Sequence, residues 1–396
     1  MSALLDLNEA RDRLFALAPA LPVIDMPVEA SAGYYLAKPL LAQRTQPAHP
    51  LSAMDGWAVR QVDMPGPWQI TGESAAGHPF GGSVAKGSAI RISTGAIVPA
   101  GADMVLVQED CTRDGDRLTF HGDPPEPLGR HIRTAGLDFT EGQTVLSAGD
   151  HLSPARIALA ISAGYGVVPV IRKPRITVLD SGDELVPAGN PLRDGQIPAS
   201  NGPMLAAMLA SLPCEITRIG PVADNLDDLI AALESASDAD LVITSGGASV
   251  GDHDLVRAAI EAMGGQIDFW RVAIKPGKPI MVAKLDGKLI LGLPGNPVSA
   301  FVTAILFALP LERAMLGAAR PVAPLETIRS ASPWPATGKR AEFLRGRLID
   351  GKVERLSVQD SGALLPLAMA EVLVFRPPHA PASSPDDIVE FIRIPD

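Results

Sequence analysis

Two short segments carry residue types suited to anion chemistry. They are Thr244-Ser-Gly-Gly-Ala-Ser-Val-Gly-Asp-His-Asp254 and, about twenty residues on, Lys275-Pro-Gly-Lys-Pro279. The first follows the apolar run Leu241-Val-Ile-Thr244 and precedes a helical pattern beginning at Leu255, so a glycine-rich turn joins strand to helix. Bare backbone N–H groups beside a helix N-terminus suit an anionic ligand. Ser249 adds a hydroxyl donor, while Asp252 and Asp254 supply carboxylates for a divalent metal. Mg2+ prefers oxygen ligands and shares them with substrate phosphates, so one or two carboxylates suffice. His253 reads as a neighbour, because no nucleophile motif accompanies it.

Lys275 and Lys278 put two ammonium groups on a turn whose prolines restrict the backbone and whose Gly277 permits close approach. That arrangement suits a compact dianion, although a solvated surface turn accounts for the same residues equally well. Asn296-Pro-Val-Ser299 reads as a helix start with Asn296 as cap and Pro297 in the first turn. Its free N–H groups and the Ser299 hydroxyl could hold an oxyanion, or could simply initiate the helix. Asp183, Glu184 and Asp224 fall at the ends of expected strands. Metal or phosphate work is one role for them; for Asp183 and Glu184, complementing a helix N-terminus is the plainer one. Asp55, in Ser52-Ala-Met-Asp-Gly56, is an ordinary turn aspartate on local chemistry alone.

Positioning these residues requires a sheet. Beyond a Lys173-Pro-Arg175 linker, the patterning predicts strands at residues 176–179, 216–219 and 241–244, with helices at 204–212, 225–234 and 256–263. This alternation implies a doubly wound, mostly parallel α/β domain with right-handed crossovers. In such sheets ligands bind beyond the carboxyl ends of the strands, where the polar loops at Asp180, Asp224 and Thr244 would converge. Before it comes an amphipathic helix at residues 8–17, then short apolar runs punctuated by Gly and Pro up to about residue 135, then a helix opened by Ser153-Pro154. After it, short strands at 343–345, 372–375 and 389–392 suggest a small β-barrel. The expected division is a segmented helical region (1–44 and 136–172), a β-rich insertion (45–135), the α/β domain (173–320) and the C-terminal barrel (321–396).

Composition narrows the partners. With 396 residues the chain has material for several cores. Its net charge of −11 opposes nucleic acid and anionic membranes over long range, so an anion site must be a local basic pocket. Ten Phe, four Trp and three Tyr are too few for a single-stranded nucleic-acid stacking platform. Cys111 and Cys214 offer neither zinc spacing nor a disulfide framework, which fits a reducing compartment. No signal-peptide pattern opens the chain, and its longest apolar stretch, residues 298–311, is too short to span a bilayer and contains Pro310. A cytoplasmic location is the expectation.

Taken together, Ser52-Ala-Met-Asp-Gly-Trp-Ala-Val59, Ser93-Thr-Gly-Ala96, Gly101-Ala-Asp103, Ser181-Gly-Asp-Glu-Leu185, the Thr244 loop, the Lys275 turn, Gly292-Leu-Pro-Gly-Asn-Pro-Val-Ser299 and Asp360-Ser-Gly362 resemble the molybdopterin molybdenumtransferase family, the MoeA and gephyrin E-domain group. Their order spans almost the whole chain. The resemblance implies insertion of molybdate into adenylylated molybdopterin with release of AMP, assisted by Mg2+. It implies an adenylyltransferase-like α/β domain and a molybdate pocket of Lys275, Lys278, Ser299, Arg345 and Ser361. Pro276 and Asn201 fall on matching cofactor-binding positions, with Asp183, Asp224 and Ser249. It also implies a homodimer in which Asp55 and Thr94 face the other subunit's site, with Asp138 as a further acidic position. A separate adenylyltransferase and recipient molybdoenzymes would be the partners.

Some positions depart from the family pattern: Ala199 where aspartate is common, Leu137 for glutamate, Glu371 for asparagine and Ser181 for threonine. They leave the lysines, Asp254 and Asp55 in place. Two other functions compete with insertion, namely adenylylation of the pterin and a non-catalytic role as scaffold or cofactor carrier.

Overall fold

The computed structural model describes residues 4–246 and 255–395. Helix α1 (Leu7–Ala16) is capped by Asp6, whose side chain accepts from the Asn8 N–H. Its buried Ala10 and Leu14 belong to the core of the α/β body. The region that follows is mainly extended. Val23–Pro27 pairs antiparallel with Val167–Ile171, and α2 (Pro154–Ser162) shares a core with Val168 and Val170 through Ala160. Ser153 caps α2 through the Arg156 N–H, with Pro154 in the first turn, as its sequence requires. A segment read as helical is therefore half ribbon, because its two strands meet only across the intervening β-rich block.

That block is a six-stranded sheet in the order Met104–Val107, Gly56–Val59, Ser88–Ile92, Trp68–Ser74, Arg117–Phe120, Cys111–Asp114. Gly56 lies against the Leu106 carbonyl so closely that any Cβ would collide with it. This is why glycine must follow Asp55.

In the α/β body, β1 (Arg175–Ser181), α3 (Asn201–Leu209), β2 (Glu215–Val222), α4 (Leu226–Ser235), β3 (Leu241–Ser245) and α5 (Leu255–Ala262) alternate as expected. They are followed by β4 (Gln266–Arg271), β5 (Ile274–Lys275), β6 (Pro279–Leu285) and β7 (Lys288–Leu293). The sheet order is β2-β1-β3-β7-β6-β4, parallel through β7 and antiparallel for β6 and β4. Asp286-Gly287, both at positive φ, form the two-residue turn between β6 and β7. This is a hairpin signal that the strand-and-helix alternation does not use. Alternate residues bury on opposite faces. Ile176, Val178, Leu241, Ile243, Leu289 and Leu291 join one core; Leu179, Val242 and Ile290 join the other with α4 and α5.

A long helix crosses the first of these cores: α6 (Pro297–Thr303), a π-helical segment (Ala304–Ala308) and α7 (Leu309–Met315). Pro310 has no N–H to offer the Leu306 carbonyl, which instead accepts from Arg11 Nε at 2.9 Å. Pro310 therefore does not end the helix. Its 19 residues exceed the apolar stretch counted in the sequence and are long enough by length to cross a membrane, yet 83% of the most apolar window is buried inside the protein.

The C-terminal region closes into a barrel: β8 (Glu326–Ser330), β9 (Ala341–Ile349), β10 (Lys352–Arg355), β11 (Val372–Arg376) and β12 (Ile388–Arg393) run β9-β10-β8-β12-β11, and β11 pairs back onto β9. A short helix, α8 (Leu364–Ala368), lies between β10 and β11. Strand β5 adds to β9, with Ile274 opposite Ala341 and Lys275 opposite Glu342. The lysine turn is thereby attached to the barrel.

Candidate active site at the sheet switch point

From β1 the chain winds outward to β2, then returns to place β3 on the other side of β1. Connections diverge at that point, which opens a crevice at the carboxyl ends of β1 and β3. A cavity of about 420 Å³ occupies it. Asp180 and Ser181 from β1, Ser245 and Gly246 from β3, and Gly295 and Asn296 from the turn after β7 line its walls. Glu184, Ser200 and Asn201 close one flank, and Gly362 and Leu364 of the C-terminal region close the other.

Asn201 ties two strand ends together. Its Nδ2 donates to Ser245 Oγ at 2.8 Å and to the Gly295 carbonyl at 2.7 Å. Asp183 Oδ1 accepts the Asp224 N–H at 2.9 Å, so these two acidic loops touch. Burial pushes the Asp224 carboxyl upward, and the charges of Asp183 and Glu184 add to the rise against the hydrogen bond from Asp183. Asp180 is buried, with 3% of its surface exposed. Burial raises its carboxyl as well, opposed by Arg218 and by the Gly202 N–H. Gly202 has no room for a Cβ, because Asp180 Oδ2 fills that space. Helix α3 thus begins three residues before the expected start at Met204, capped by a carboxylate from another strand while the Ser200 side chain makes no cap bond.

The opposite flank is built by long-range contacts. The Val298 N–H donates to the Ser361 carbonyl at 3.1 Å, and Asn296 Nδ2 reaches Ser361 Oγ at 3.4 Å. Asn296 occupies the cap position of α6 without capping it through its side chain. Ser299 is buried, and its carbonyl accepts the Thr303 hydroxyl at 2.7 Å. Arg345, an ordinary surface residue on sequence grounds, is 1% exposed. Its guanidinium donates to the carbonyls of Val358, Asp360 and Ala363 at 2.9–3.1 Å, which pins the loop carrying Ser361. Burial holds its pKa below the usual guanidinium value.

Lys275 Nζ pairs with Glu342 Oε1 at 3.2 Å. Pro276 follows through a cis bond, and Gly277 at φ +95° packs so tightly against Thr303 of α6 that a Cβ would clash. Lys278 is exposed. The turn is therefore held from two sides, by β9 and by α6. Asp55 and Thr94 lie apart from this cavity, on the β-rich sheet. Asp55 Oδ1 accepts from the Thr94 N–H at 2.6 Å and from its hydroxyl at 2.9 Å, which holds the carboxyl below its usual value. Asp138 is exposed in a loop whose N–H donates to the Gln46 carbonyl. Ser249, Asp252, His253 and Asp254 lie outside the described residues. Sequence reasoning placed Asp180 only within a polar strand-end loop and Ser245 only within the glycine-rich turn, and it did not single out Glu342. A charged residue directly after Ile176-Thr-Val-Leu179 was a usable signal for Asp180; the other two gain their place only from strand pairing.

Three family models cover most of the chain. The MoeA N-terminal region (domain I and II) corresponds to residues 5–164, a probable molybdopterin binding domain to 177–314, and the MoeA C-terminal region (domain IV) to 327–394. Molybdopterin molybdenumtransferase of Haemophilus influenzae is 36% identical over 91% of this chain and 90% of its own length. The enzyme of that name from Nostoc sp. is 34% identical over 88% and 83%. A molybdopterin biosynthesis MoeA protein of Pyrococcus, at 28% identity, superposes with a TM-score of 0.79 over 99% of both chains. A cavity at the sheet switch point, flanked by the C-terminal barrel, thus sits in a chain whose length is accounted for by one set of relatives: the protein belongs to the MoeA family of molybdopterin molybdenumtransferases.

Proposed function

We propose that this chain inserts molybdenum into molybdopterin at the β1–β3 crevice, using molybdate and adenylylated molybdopterin and releasing AMP. One observation carries the reading. A single cavity is walled by the strand ends, by the start of α6 and by the Gly362–Leu364 edge of the C-terminal region, so groups from both can act on one ligand. Lys275 and Lys278 supply positive charge on a braced turn, and the Ser361 loop is fixed by Arg345. A tetrahedral dianion is held by such cations and hydroxyls through charge-assisted hydrogen bonds. Holding it beside the dithiolate makes the transfer intramolecular, with no covalent enzyme intermediate required.

Mg2+ suits the donor chemistry of the acidic side. The Asp183 carboxylate accepts the Asp224 N–H, and the charges of Asp183 and Glu184 add to the burial that pushes Asp224 upward, so a cation there would be favoured. Among the described residues no group of three or more His, Cys, Asp or Glu forms a metal cage. One or two carboxylates shared with substrate phosphates fit instead, for which Asp252 and Asp254 are the sequence candidates. When bound, Mg2+ would neutralise the pyrophosphate of the substrate. Asp183 and Asn201 contribute fixed loop geometry, and Glu184 a carboxylate at the cavity wall.

Asp55 and Thr94 are prearranged yet do not line this cavity, which supports a homodimer with sites completed across the interface. Two free thiols and the acidic surface support a cytoplasmic protein that receives its substrate from a separate adenylyltransferase and passes cofactor to molybdoenzymes. The test is reconstitution with adenylylated molybdopterin, molybdate and Mg2+, following AMP release and cofactor formation together. Coupled appearance of both is expected. Transfer of AMP from ATP onto molybdopterin without molybdate would overturn the reading in favour of adenylylation.

A further inference from the structure

Lys275 and Glu342 are paired, yet they are held in different ways. The backbone of the lysine turn is fastened: the Val272 N–H donates to the Lys278 carbonyl at 2.9 Å and the Ala341 N–H to the Ala273 carbonyl at 2.8 Å. Arg340 Nη1 reaches the Ile274 carbonyl at 3.4 Å. A Cβ on Gly277 would collide with Thr303 and come within 3.6 Å of the Ser299 carbonyl, so the turn abuts the start of α6. Beyond this fixed backbone the Lys275 side chain is a flexible arm, 52% exposed, whose Nζ bonds to Glu342 Oε1 at 3.2 Å. The Glu342 side chain is 12% exposed and belongs to β9, a strand of the closed barrel. It is register-paired with Lys275 on one side and with buried Arg376 on the other. Burial lowers the Arg376 guanidinium, and the charges of Asp387 and Glu342 oppose that fall. Glu342 thus stands between two cations, which limits the repulsion its charge exerts on an anion at Lys275. A half-exposed ion pair adds little to folding, so stability is a weak reason for it.

We infer that Glu342 is a positioning residue for the oxyanion, a rigid carboxylate post that sets where the Lys275 ammonium stands. This rests on the reading of Lys275 as an oxyanion ligand and adds the group that orients it. One N–H of the ammonium goes to Glu342, and the others remain for the ligand. Without the post the arm samples solvent, and the ligand must order it on binding. Complete loss of lysine rotamer order corresponds to about thirtyfold in affinity, which bounds what Glu342 contributes. Strand β9 then serves two walls of the pocket, since Arg345, on the same strand, pins the loop of Ser361.

The test is steady-state kinetics of the full chain with molybdate, adenylylated molybdopterin and Mg2+, read as AMP release. Glu342→Met keeps the length of the side chain and removes its acceptor. It should raise KM for molybdate by roughly three- to thirtyfold and leave KM for adenylylated molybdopterin within about twofold. An unchanged KM for molybdate overturns the inference. A lower one does so as well, because it makes Glu342 a competitor for Lys275. An equal rise in both KM values also overturns it, since that is a general loosening of the barrel. A molybdate-soaked crystal of the wild-type chain covers a variant that fails to fold: Lys275 Nζ should bond the ion while keeping Glu342. Release of Glu342 on binding overturns the inference. Lys275→Ala separates this inference from the reading beneath it. If Lys275→Ala loses cofactor formation while Glu342→Met keeps the wild-type KM for molybdate, only the role of Glu342 falls. If Lys275→Ala turns over normally, the oxyanion reading of Lys275 falls with it.

Discussion

Asp55 is exposed and bonded twice by Thr94, which holds its carboxyl below the usual range, whereas Glu312 is enclosed in α7 and behaves oppositely. Burial raises Glu312 from 4.5 to about 8. Neither of its oxygens has a hydrogen-bond partner, and the nearby Cys214 thiol is directed to the Leu209 carbonyl. The native state therefore keeps a proton that the unfolded chain releases. Stability from this group is complete below about pH 4.5 and declines as pH rises toward about 8. Glu312→Gln should flatten that slope and raise the urea midpoint at pH 9, each pKa unit being worth roughly 1.4 kcal/mol. Equal midpoints for the two proteins across pH 5–9, a range of about four units, would show that Glu312 is not buried as a neutral acid.

At the scale of elements, two arginines do work that no helix or strand pattern announces. Arg11 on α1 satisfies the Leu306 carbonyl freed by Pro310, and desolvation lowers its pKa to about 10. Arg11→Met should cost roughly 1–3 kcal/mol by leaving that buried carbonyl unpaired, measured by chemical denaturation. Arg345 joins β9 to the loop that carries Ser361. Lysine cannot reproduce a planar fork bonded to three carbonyls. Arg345→Lys should therefore speed hydrogen exchange across residues 358–363 and lower cofactor formation about tenfold or more. Unchanged exchange in that loop would show that the fork is not what holds it.

On the whole molecule, Glu184 and Asn201 line the switch-point cavity, whereas Asp55 and Thr94 pair apart from it on the β-rich sheet. If both act on one substrate, a second chain must bring them together. Asp55→Ala and Lys275→Ala should each abolish cofactor formation. Mixing the two and allowing subunit exchange should restore roughly a quarter of wild-type activity, carried by the one intact site of mixed dimers. No recovery, with exchange confirmed by mass spectrometry, would place both residues in the same chain's site.

The sequence by itself determined the local elements and the identity of the chemistry. The βαβα alternation, the Ser153 cap and the proline-restricted lysine turn follow from period, side-chain donors and backbone restriction, all of which act over a few residues. Tertiary structure alone decided how the cavity is assembled. Asp180 caps a helix from a neighbouring strand, Glu342 meets Lys275 through strand addition, and Arg345 goes from an apparent surface site to a buried clamp. The physical reason is that a hydrogen bond or ion pair between distant segments depends on sheet order and register, which local propensity does not encode.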